Sequence, residues 1–342
     1  MIPKIFQYNP ADFSDLIANN TSFVLTTHIN PDGDALGSEL GLAEWLMSIG
    51  KTVAIYNFSP IPENFYFLDD ERPIIQQFDA SRDSEAIASA DVFMMLDTND
   101  PDRAKSLATV LRDHTMPVLV DHHLEPKQFA KISFIDTEAT STGEMVYRLI
   151  QDLMPTFGGN ISPKAAQALY VAIMTDTGSF KFPRTDSDIL RTCADLIDLG
   201  ADPVKCYNET YNSAKASRLK LIGASLASIK FFFDDKLATQ LITQEDLKTA
   251  VALPEEVDGF VQFPLQVKSL VFSIFFLQLP NGWKISFRSR GEESSAAEVA
   301  KTFGGNGHFN AAGARVYENI PFDELLKQVC DAVEKQLGVV SL

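Results

Sequence analysis

The sequence predicts an α/β protein: a doubly wound, mainly parallel sheet with helices, joined by a helical connector to a smaller α+β domain. In the first half of the chain, short apolar strands alternate with helix-forming segments, as in βαβ units. After about residue 228, strands joined by short turns predominate. A length of 342 residues allows two domains, each with its own core. The predicted bounds are 1–190 for the first domain, 191–227 for the connector and 228–342 for the second domain.

Composition narrows the possible classes of function. Twenty-nine basic and 46 acidic residues give a net charge of -17, which argues against a protein that tracks long nucleic acids but allows a small anionic substrate held by metals. The three cysteines are far apart and lack C-x-x-C spacing, so we expect no disulfide framework and a reducing cytoplasm. Neither the start of the chain nor its longest apolar run, 270–279, has the length of a signal or membrane segment, so no membrane partner is expected.

The first strand-to-helix turn carries an imidazole and two carboxylates. A strand over Phe23–Thr26 and a helix over Ala35–Met47 enclose His28, Asp32 and Asp34. In open α/β sheets this turn lies at the carboxyl edge, where ligands bind. Oxygen-rich turns with an added imidazole suit divalent cations. The alternative is that an aspartate caps the helix, but a cap needs only one carboxylate and no histidine.

Two later strands also end in ligand-type residues. The apolar strand Val92–Leu96 runs into Asp97, whose alternative role is that of an ordinary turn residue. The strand Pro117–Val120 runs into Asp121-His122-His123. Because neighbouring residues on an extended stretch point to opposite sides, one histidine can bind metal while the other faces substrate. A strand over Thr52–Tyr56 and a helix over Leu107–Asp113 are predicted between these segments.

The rest of the first domain supplies a fourth acidic candidate. After a strand over Ile132–Ile135, Ser141 and Glu144 have the spacing of a capping box that opens a helix, with a hydroxyl-lined anion pocket as the alternative. A helix over Pro163–Met174 then leads into Asp176. The helix dipole disfavours an acid at this end, so a cation partner is more plausible there.

The second domain carries a different chemistry. The connector is predicted as helices broken at 200–203 and near Asn212. Glycines in the loop 304–308 let backbone N–H groups approach an anion, although a plain turn is an equal alternative. The candidate substrate-binding residues are Arg288, Gly304, Gly305, Gly307 and His308. The predicted elements are strands over Ser228–Phe233, Leu237–Thr243, Val267–Gln278 and Trp283–Arg288, a hairpin turn at 280–282, and a helix over Phe322–Leu337.

Taken in order, these motifs resemble the DHH phosphoesterase superfamily over nearly the whole chain. The loop 304–308 resembles the substrate loop of the DHH-associated C-terminal domain, with Asn306 where a third consecutive glycine is common. Two compact domains without sensory additions resemble the nanoRNase/pAp-phosphatase branch. The four matching motifs are His28 with Asp32 and Asp34, then Asp97, then Asp121-His122-His123, and finally Asp176.

The resemblance implies two metal ions that share Asp97. Two cations about 3.5 to 4 Å apart can share a carboxylate and generate a hydroxide for in-line attack on phosphorus. Mixed carboxylate and imidazole ligation favours Mn²⁺, with Mg²⁺ or Co²⁺ as substitutes. His123 is expected to contact a phosphate oxygen, so that it and Asp97 are the catalytic residues. The implied ligands are His28, Asp32 and Asp97 for one ion, and Asp34, Asp97, His122 and Asp176 for the other.

The expected function is hydrolysis of short oligoribonucleotides of the pApA type, and of 3'-phosphoadenosine 5'-phosphate. Long duplex nucleic acid is not an expected partner, and a homodimer is left open. The alternatives are a single-strand exonuclease, a cyclic-dinucleotide phosphodiesterase, an inorganic pyrophosphatase and a non-catalytic nucleotide sensor. The glycine loop with His308 argues against the pyrophosphatase, and the full set of ligand-type residues argues against the sensor.

Overall fold

The computed structural model describes residues 4–70, 72–104, 115–124, 127, 129–291, 293–317 and 320–338. The chain divides into two compact units, Met1–Ser213 and Ala214–Leu342, at a point inside the predicted connector. The predicted helix 107–113 lies outside the described residues. Among the helices of the described ranges, none combines the length and apolar character that a bilayer span requires.

Unit 1 contains a seven-stranded sheet in the order β1-β7-β6-β5-β2-β3-β4. All neighbouring strands are parallel except the β1/β7 pair. The chain passes from β2 outward through β3 to β4, then resumes at β5 on the other side of β2, so the predicted doubly wound sheet is confirmed. Its strands are β1 (Phe6–Gln7), β2 (Ser22–Thr26), β3 (Thr52–Asn57), β4 (Ile75–Gln77), β5 (Val92–Leu96), β6 (Met116–Asp121) and β7 (Ile132–Asp136).

The central strands are buried on both faces, which explains their continuous apolar sequence. All five residues of β5 are buried. Met94 and Leu96 belong to one apolar cluster, whereas Phe93 and Met95 belong to another, so alternate side chains fill opposite faces of the sheet. The helices of unit 1 are α1 (Pro10–Asn19), α2 (Gly33–Ser48), α3 (Ala80–Ala88), α4 (Thr142–Phe157), α5 (Pro163–Asp176), α6 (Ser187–Asp198) and α7 (Pro203–Tyr211).

Helices α2 and α5 approach each other unusually closely, and glycines make this possible. A Cβ atom at Gly37 would lie 2.3 Å from the carbonyl oxygen of Ala168, and one at Gly41 would lie 2.5 Å from the side chain of Leu169. At the end of the pair, a Cβ atom at Gly33 would lie 2.6 Å from the side chain of Thr175. The start of α2 is therefore packed against the end of α5, which brings two of the predicted ligand turns together.

Unit 2 has a six-stranded sheet in the order β12-β13-β11-β10-β9-β8, antiparallel except for the β9/β10 pair. The α+β character predicted for this part of the chain is confirmed. Its elements are α8 (Ala216–Ala227), β8 (Lys230–Phe232), β9 (Leu237–Ile242), α9 (Gln244–Ala250), β10 (Phe272–Leu279), β11 (Gly282–Ser289), α10 (Ala296–Lys301), β12 (Asn306–His308), β13 (Ala311–Val316) and α11 (Phe322–Leu337).

One predicted strand in unit 2 begins later than expected. The strand predicted from Val267 begins at Phe272, because Phe260–Gln266 form a 3-10 helix and Val267 lies at its end. The backbone N–H of Leu270 then donates to the carbonyl of Val267 in a turn. Within this turn Lys268 and Ser269 are exposed, whereas Leu270 is buried. Helices α9 and α10 and strands β12 and β13 were not predicted, and β12 takes up the second half of the segment 304–308 that was expected to be a loop.

Candidate metal centre

Four ligand-type segments of unit 1 meet at the carboxyl edge of its sheet. They follow β2, β5 and β6 and end α5, and the first two flank the point where the strand order reverses, which is the usual ligand-binding place in such sheets. Three groups each offer ligand atoms within 4.8 Å of one another. The groups are His28 with Asp32 and Asp97, Asp34 with His122 and Asp176, and Asp97 with His122 and His123.

Asp97 lies at the centre of this arrangement. Its Oδ2 atom is 3.4 Å from Nε2 of His28, and its Oδ1 atom is 3.7 Å from Nε2 of His122. The hydroxyl of Thr142 donates to Oδ1 at 3.1 Å. The backbone of Asp97 is left-handed, with φ of 56°, a conformation that aspartate tolerates better than most residues. The turn after β5 thus aims one buried carboxylate at both histidines.

Asp34 is held by the start of a distant helix. The backbone N–H groups of Thr142 and Gly143, at the start of α4, each donate to one of its carboxylate oxygens at 2.8 Å. Burial and the charges of Asp97 and Asp176 nevertheless raise the pKa of Asp34 well above its usual range. Burial likewise raises the pKa of Asp97. Ionising two buried carboxyl groups side by side is unfavourable. A bound cation would offset this electrostatic cost, so the pair is suited to binding one.

His28 and His122 present the same ring atom to the carboxylates. Nδ1 of His28 lies 2.8 Å from the carbonyl of Ile29, and Nδ1 of His122 lies 3.3 Å from the carbonyl of Ala139. A carbonyl can only accept, so these partners assign the proton to Nδ1 and leave the lone pair of Nε2 free. Burial lowers the pKa of both rings, which favours the neutral form that ligates metals.

Asp32 and Asp176 are the more accessible acids of the cluster. Asp32 accepts from the backbone N–H groups of Asp34 and Ala35 at 3.1 Å and so caps α2. Capping does not exclude ligation, because a carboxylate has about four lone-pair sites and Asp32 also belongs to the group with His28. Oδ2 of Asp176 lies 3.4 Å from Nε2 of His122. Burial raises the pKa of Asp176.

The histidine pair differs from the sequence-based expectation. The two rings do not point to opposite sides: their centroids are 4.8 Å apart, and both rings approach Oδ1 of Asp97 at 3.7 Å. The reason is that β6 ends at Asp121, so strand alternation no longer applies to His122 and His123. Burial by itself would lower the pKa of His123, but the hydrogen bond to Asp121 at 2.8 Å and the charge of Asp97 raise it to about 9.

Sequence reasoning missed several supporting residues. Arg103 lies close enough for its charge to lower the pKa of both His28 and His123. Arg184 donates to the carbonyl of Ala139 at 3.1 Å, the same carbonyl that faces His122. Neither arginine belongs to a motif, so only a three-dimensional structure could show their position.

A buried polar pair supports the first ligand turn from behind. Asn57, at the end of β3, accepts from the backbone N–H of Thr27 at 3.2 Å and donates to Oε2 of Glu39 at 2.7 Å. Burial raises the pKa of Glu39 to about 8, and its second oxygen has no hydrogen-bond partner among the described residues. This pair fixes the backbone immediately before His28.

Ser141 caps helix α4, which was one of the two roles predicted for it; the other was to line an anion pocket. Its hydroxyl accepts from the backbone N–H of Glu144 at 3.0 Å at the start of α4. The Glu144 carboxylate does not complete the capping box at Ser141. It accepts instead from the backbone N–H and the hydroxyl of Thr140, at 2.7 and 2.9 Å.

The candidate substrate residues of unit 2 lie around two small cavities. Gly304 and Gly305 line a cavity of about 330 Å³ together with Lys284 and Arg315, and Arg288 lines a second, smaller one. A guanidinium N–H of Arg288 donates to the carbonyl of Phe287 at 3.0 Å. The side chain of His308 lies outside the described part of the structure.

Two of the loop glycines have a packing reason for their identity. A Cβ atom at Gly305 would lie 2.3 Å from the carbonyl oxygen of Gly313, and one at Gly307 would lie 2.5 Å from that of Ala311. The loop leads into β12, which pairs with β13, so close backbone approach is required there whatever the loop binds.

The donor set fits divalent cations. In each of the three groups, carboxylate oxygens are combined with imidazole nitrogens, and no cysteine of the described chain takes part. Carboxylate and imidazole donors together suit cations such as Mn²⁺, and the two buried acids supply the negative charge that such ions neutralise.

The sequence is similar to known proteins over most of its length. The model of the DHH family, N-terminal domain, matches residues 22–173. The chain is 29% identical over 313 residues to the bifunctional oligoribonuclease and PAP phosphatase NrnA of Thermus thermophilus, covering 92% of this chain and 89% of that protein. It is 26% identical to the protein of the same name from Bacillus subtilis, covering 89% and 92%.

A solved structure is similar over the same extent. The crystal structure of an exopolyphosphatase-related protein from Bacteroides fragilis has a TM-score of 0.86 and 30% identity, and the similarity covers 95% of both chains. The ordered motifs, the doubly wound sheet and these relatives together show that the chain belongs to the DHH phosphoesterase superfamily and to its NrnA-like branch.

Proposed function

We propose that this protein uses two divalent metal ions to hydrolyse short oligoribonucleotides and 3'-phosphoadenosine 5'-phosphate. The observation that carries the proposal is the overlap of three candidate ligand groups around Asp97 and His122. A carboxylate within reach of two ligand groups is what a pair of bridged cations requires. The names of the relatives from Thermus thermophilus and Bacillus subtilis support this choice of substrates.

The proposed ligands follow the groups of donor atoms. When bound, two cations at such a site supply a nucleophile from water near neutral pH and offset the charge of the attacked phosphate. The mixture of imidazole and carboxylate donors supports Mn²⁺, with Mg²⁺ or Co²⁺ as substitutes. The proposed ligands are His28, Asp32 and Asp97 for one ion, and Asp34, Asp97, His122 and Asp176 for the other.

The protein's own residues then orient the substrate and hold protons. Nδ1 of His123 is occupied by its hydrogen bond to Asp121; burial by itself lowers the pKa of the ring, but this bond raises it and so favours a second proton, on Nε2. The side chain of His123 is 40% exposed, so its free N–H can donate to a phosphate oxygen. The hydroxyl of Thr142 fixes the direction of the Asp97 carboxylate.

We further propose that the parts of the chain divide the work. Residues 1–190 would carry the metal centre, 191–227 would connect, and 228–342 would bind substrate. The cations Lys284 and Arg315 around Gly304 and Gly305 support an anion-binding role for the second part. On the same basis, Arg288, Gly307 and His308 are retained as substrate-binding residues.

Two further features bear on where and how the protein works. All proposed metal ligands come from one chain, so the centre itself does not require a homodimer.

The cysteines Cys193, Cys206 and Cys330 are free, which supports the proposed location in a reducing cytoplasm.

A panel of substrates tests the proposed function. The protein with Mn²⁺ is incubated with pApA, 3'-phosphoadenosine 5'-phosphate, cyclic di-AMP and inorganic pyrophosphate, and products are separated by chromatography. We expect AMP from the first two substrates and little turnover of the others. Preferred hydrolysis of pyrophosphate would instead indicate a pyrophosphatase, and no hydrolysis of any of these substrates would contradict the proposed function.

A further inference from the structure

A cavity of about 250 Å³ opens beside the metal centre, and the proposed mechanism does not use it. His122 and Asp176 form one side of it. The other side comes from the segment that follows Asp176 in the chain, and it includes Phe182 and Arg184. The remaining lining residues are Thr140, Thr177, Pro183 and Thr185. The cavity therefore borders two of the proposed metal ligands.

The segment after Asp176 has an unusual backbone. Gly178, Ser179 and Phe180 are consecutive left-handed residues, with φ of 57°, 58° and 66°. This conformation is costly for serine and phenylalanine, and it persists only where surrounding contacts impose it. Thr177 supplies those contacts: its hydroxyl accepts from the N–H of Phe180 at 3.1 Å, and its carbonyl accepts from the N–H of Phe182 at 3.1 Å.

The strained turn places an aromatic ring at the cavity. The ring of Phe182 lies over Gly178, where a Cβ atom would be 2.6 Å from it. Phe182 is 55% exposed, so much of the ring remains open. An exposed ring that packs against the backbone on one side offers its open part as a platform on which a nucleobase can stack.

Arg184 places a positive charge in the same cavity. Its guanidinium donates to the carbonyl of Ala139 at 3.1 Å, and its positive charge also acts on the carboxylate of Asp176, which lines the same cavity. The bond to Ala139 leaves other guanidinium N–H groups of Arg184 that can donate to a phosphate.

An unsatisfied hydroxyl also marks the cavity as a ligand site. The hydroxyl oxygen of Thr185, which lines the cavity, is buried and has no hydrogen-bond partner among the described residues. Buried polar atoms are seldom left without a partner, and a bound polar ligand can supply one.

We propose that this cavity is a subsite for one nucleoside monophosphate unit of the substrate, with the base stacked on Phe182 and a phosphate bound by Arg184. The inference rests on the proposed function, since it requires a nucleotide substrate. It adds the two residues that recognise the base and the phosphate outside the metal ligands. Base recognition through stacking tolerates all four bases, so the subsite favours nucleotides without strong sequence preference.

Binding of AMP and ribose 5-phosphate tests the two roles separately, because ribose 5-phosphate has a hydroxyl group at the position where AMP carries its base. Both are titrated calorimetrically into the Mn²⁺-loaded protein. Phe182→Ala should weaken AMP binding about tenfold and leave ribose 5-phosphate binding unchanged. Arg184→Gln should weaken both by a similar factor. Tyr66→Ala, at a position that is 54% exposed and does not line the cavity, is the matched control and should change neither.

The outcomes separate this inference from the proposed function. If Phe182→Ala leaves the ratio of the two affinities at its wild-type value, the stacking role is wrong. If Arg184→Gln binds both ligands as the wild type does, the phosphate role is wrong. Hydrolysis of pApA by the wild type is assayed in parallel, and its absence would instead refute the proposed function.

Discussion

The backbone N–H of Gly143 donates to Oδ1 of Asp34 at 2.8 Å, although the two residues are 109 positions apart in the chain. This contact joins the start of α4 to the first ligand turn. It orients a proposed metal ligand and places the positive end of the α4 dipole beside a buried carboxylate. The space around Gly143 is very small, since a Cβ atom there would lie 2.3 Å from Cβ of Ala172.

Replacing this glycine should therefore damage both the fold and the site. Gly143→Ala forces α4 away from α5 and from Asp34, and we expect the free energy of unfolding to fall by roughly 1 to 3 kcal/mol. Urea denaturation of the metal-free protein measures this change. Gly223→Ala in α8, where the added methyl group meets nothing within 4 Å, is the control and should be neutral or stabilise by up to about 1 kcal/mol. Equal stabilities of the two variants would contradict the account.

Asp97→Asn should remove activity without unfolding the protein. An amide cannot replace a carboxylate shared by two cations, so turnover of pApA should fall by several orders of magnitude. The metal-free variant should be at least as stable as the wild type, because the amide replaces a buried carboxyl group whose ionisation is unfavourable. Asp100→Asn, whose native carboxylate pairs with Lys127 at 2.7 Å, is the control. Near-normal turnover of Asp97→Asn would mean that Asp97 is only a turn residue.

Metal removal should abolish activity reversibly. After treatment with a chelator, we expect Mn²⁺ to restore turnover better than Mg²⁺, because the imidazoles of His28 and His122 suit the softer ion. Metal content measured by mass spectrometry should reach two ions per chain at full activity. Full turnover in excess chelator would be incompatible with the metal centre.

The buried carboxyl of Glu39 predicts a pH-dependent stability. Burial raises its pKa in the folded state from 4.5 to about 8, so the folded protein keeps a proton that the unfolded chain releases. This contribution to stability is complete below about pH 4.5 and is lost as the pH rises to about 8. Glu39→Gln lacks this titration.

Denaturation at several pH values compares the two proteins. Relative to the wild type, the free energy of unfolding of Glu39→Gln should increase across that window by at most about 1.4 kcal/mol per pH unit. The exposed Glu298→Gln variant shows the background effect of removing one carboxylate. A difference between Glu39→Gln and the wild type that does not vary with pH would contradict the buried, protonated state.

The sequence predicted those parts of the fold that depend on patterns among neighbouring residues. The strand Val92–Leu96 and the helix Phe322–Leu337 have in the structure the bounds that were predicted, because an apolar run and an amphipathic period are properties of neighbouring residues. The β10 strand was predicted to begin too early, at Val267. Residue type alone does not distinguish an apolar residue in a turn from one in a strand. The order of the strands depends on packing between distant segments. The sequence predicted the type of sheet, doubly wound and mainly parallel, but not that order.

The same limit applies to the site. Each proposed metal ligand follows a strand or ends a helix, which made it visible in the sequence. The orientation of His122 and His123 was expected from strand alternation, but the strand ends one residue before them. Phe182 and Arg184 follow a left-handed turn whose stability comes from Thr177, and no sequence pattern predicts such a turn. The metal ions themselves and the roles of Arg288 and His308 stay predictions.

The dependence of rate on RNA length tests the proposed function most directly. Two metals and a few basic residues can neutralise one or two phosphates, but the phosphates of a longer strand would pass over a protein of net charge -17. Salt should reduce this repulsion, since the Debye length is about 10 Å at 0.1 M. The measurement is the rate per molecule for RNAs of about 2 to 24 nucleotides with Mn²⁺ at low and moderate salt. We predict the highest rate for the shortest RNAs, a decline beyond about five nucleotides, and a smaller decline at moderate salt. Undiminished degradation of the longest RNA at low salt would contradict the account and identify a processive exonuclease.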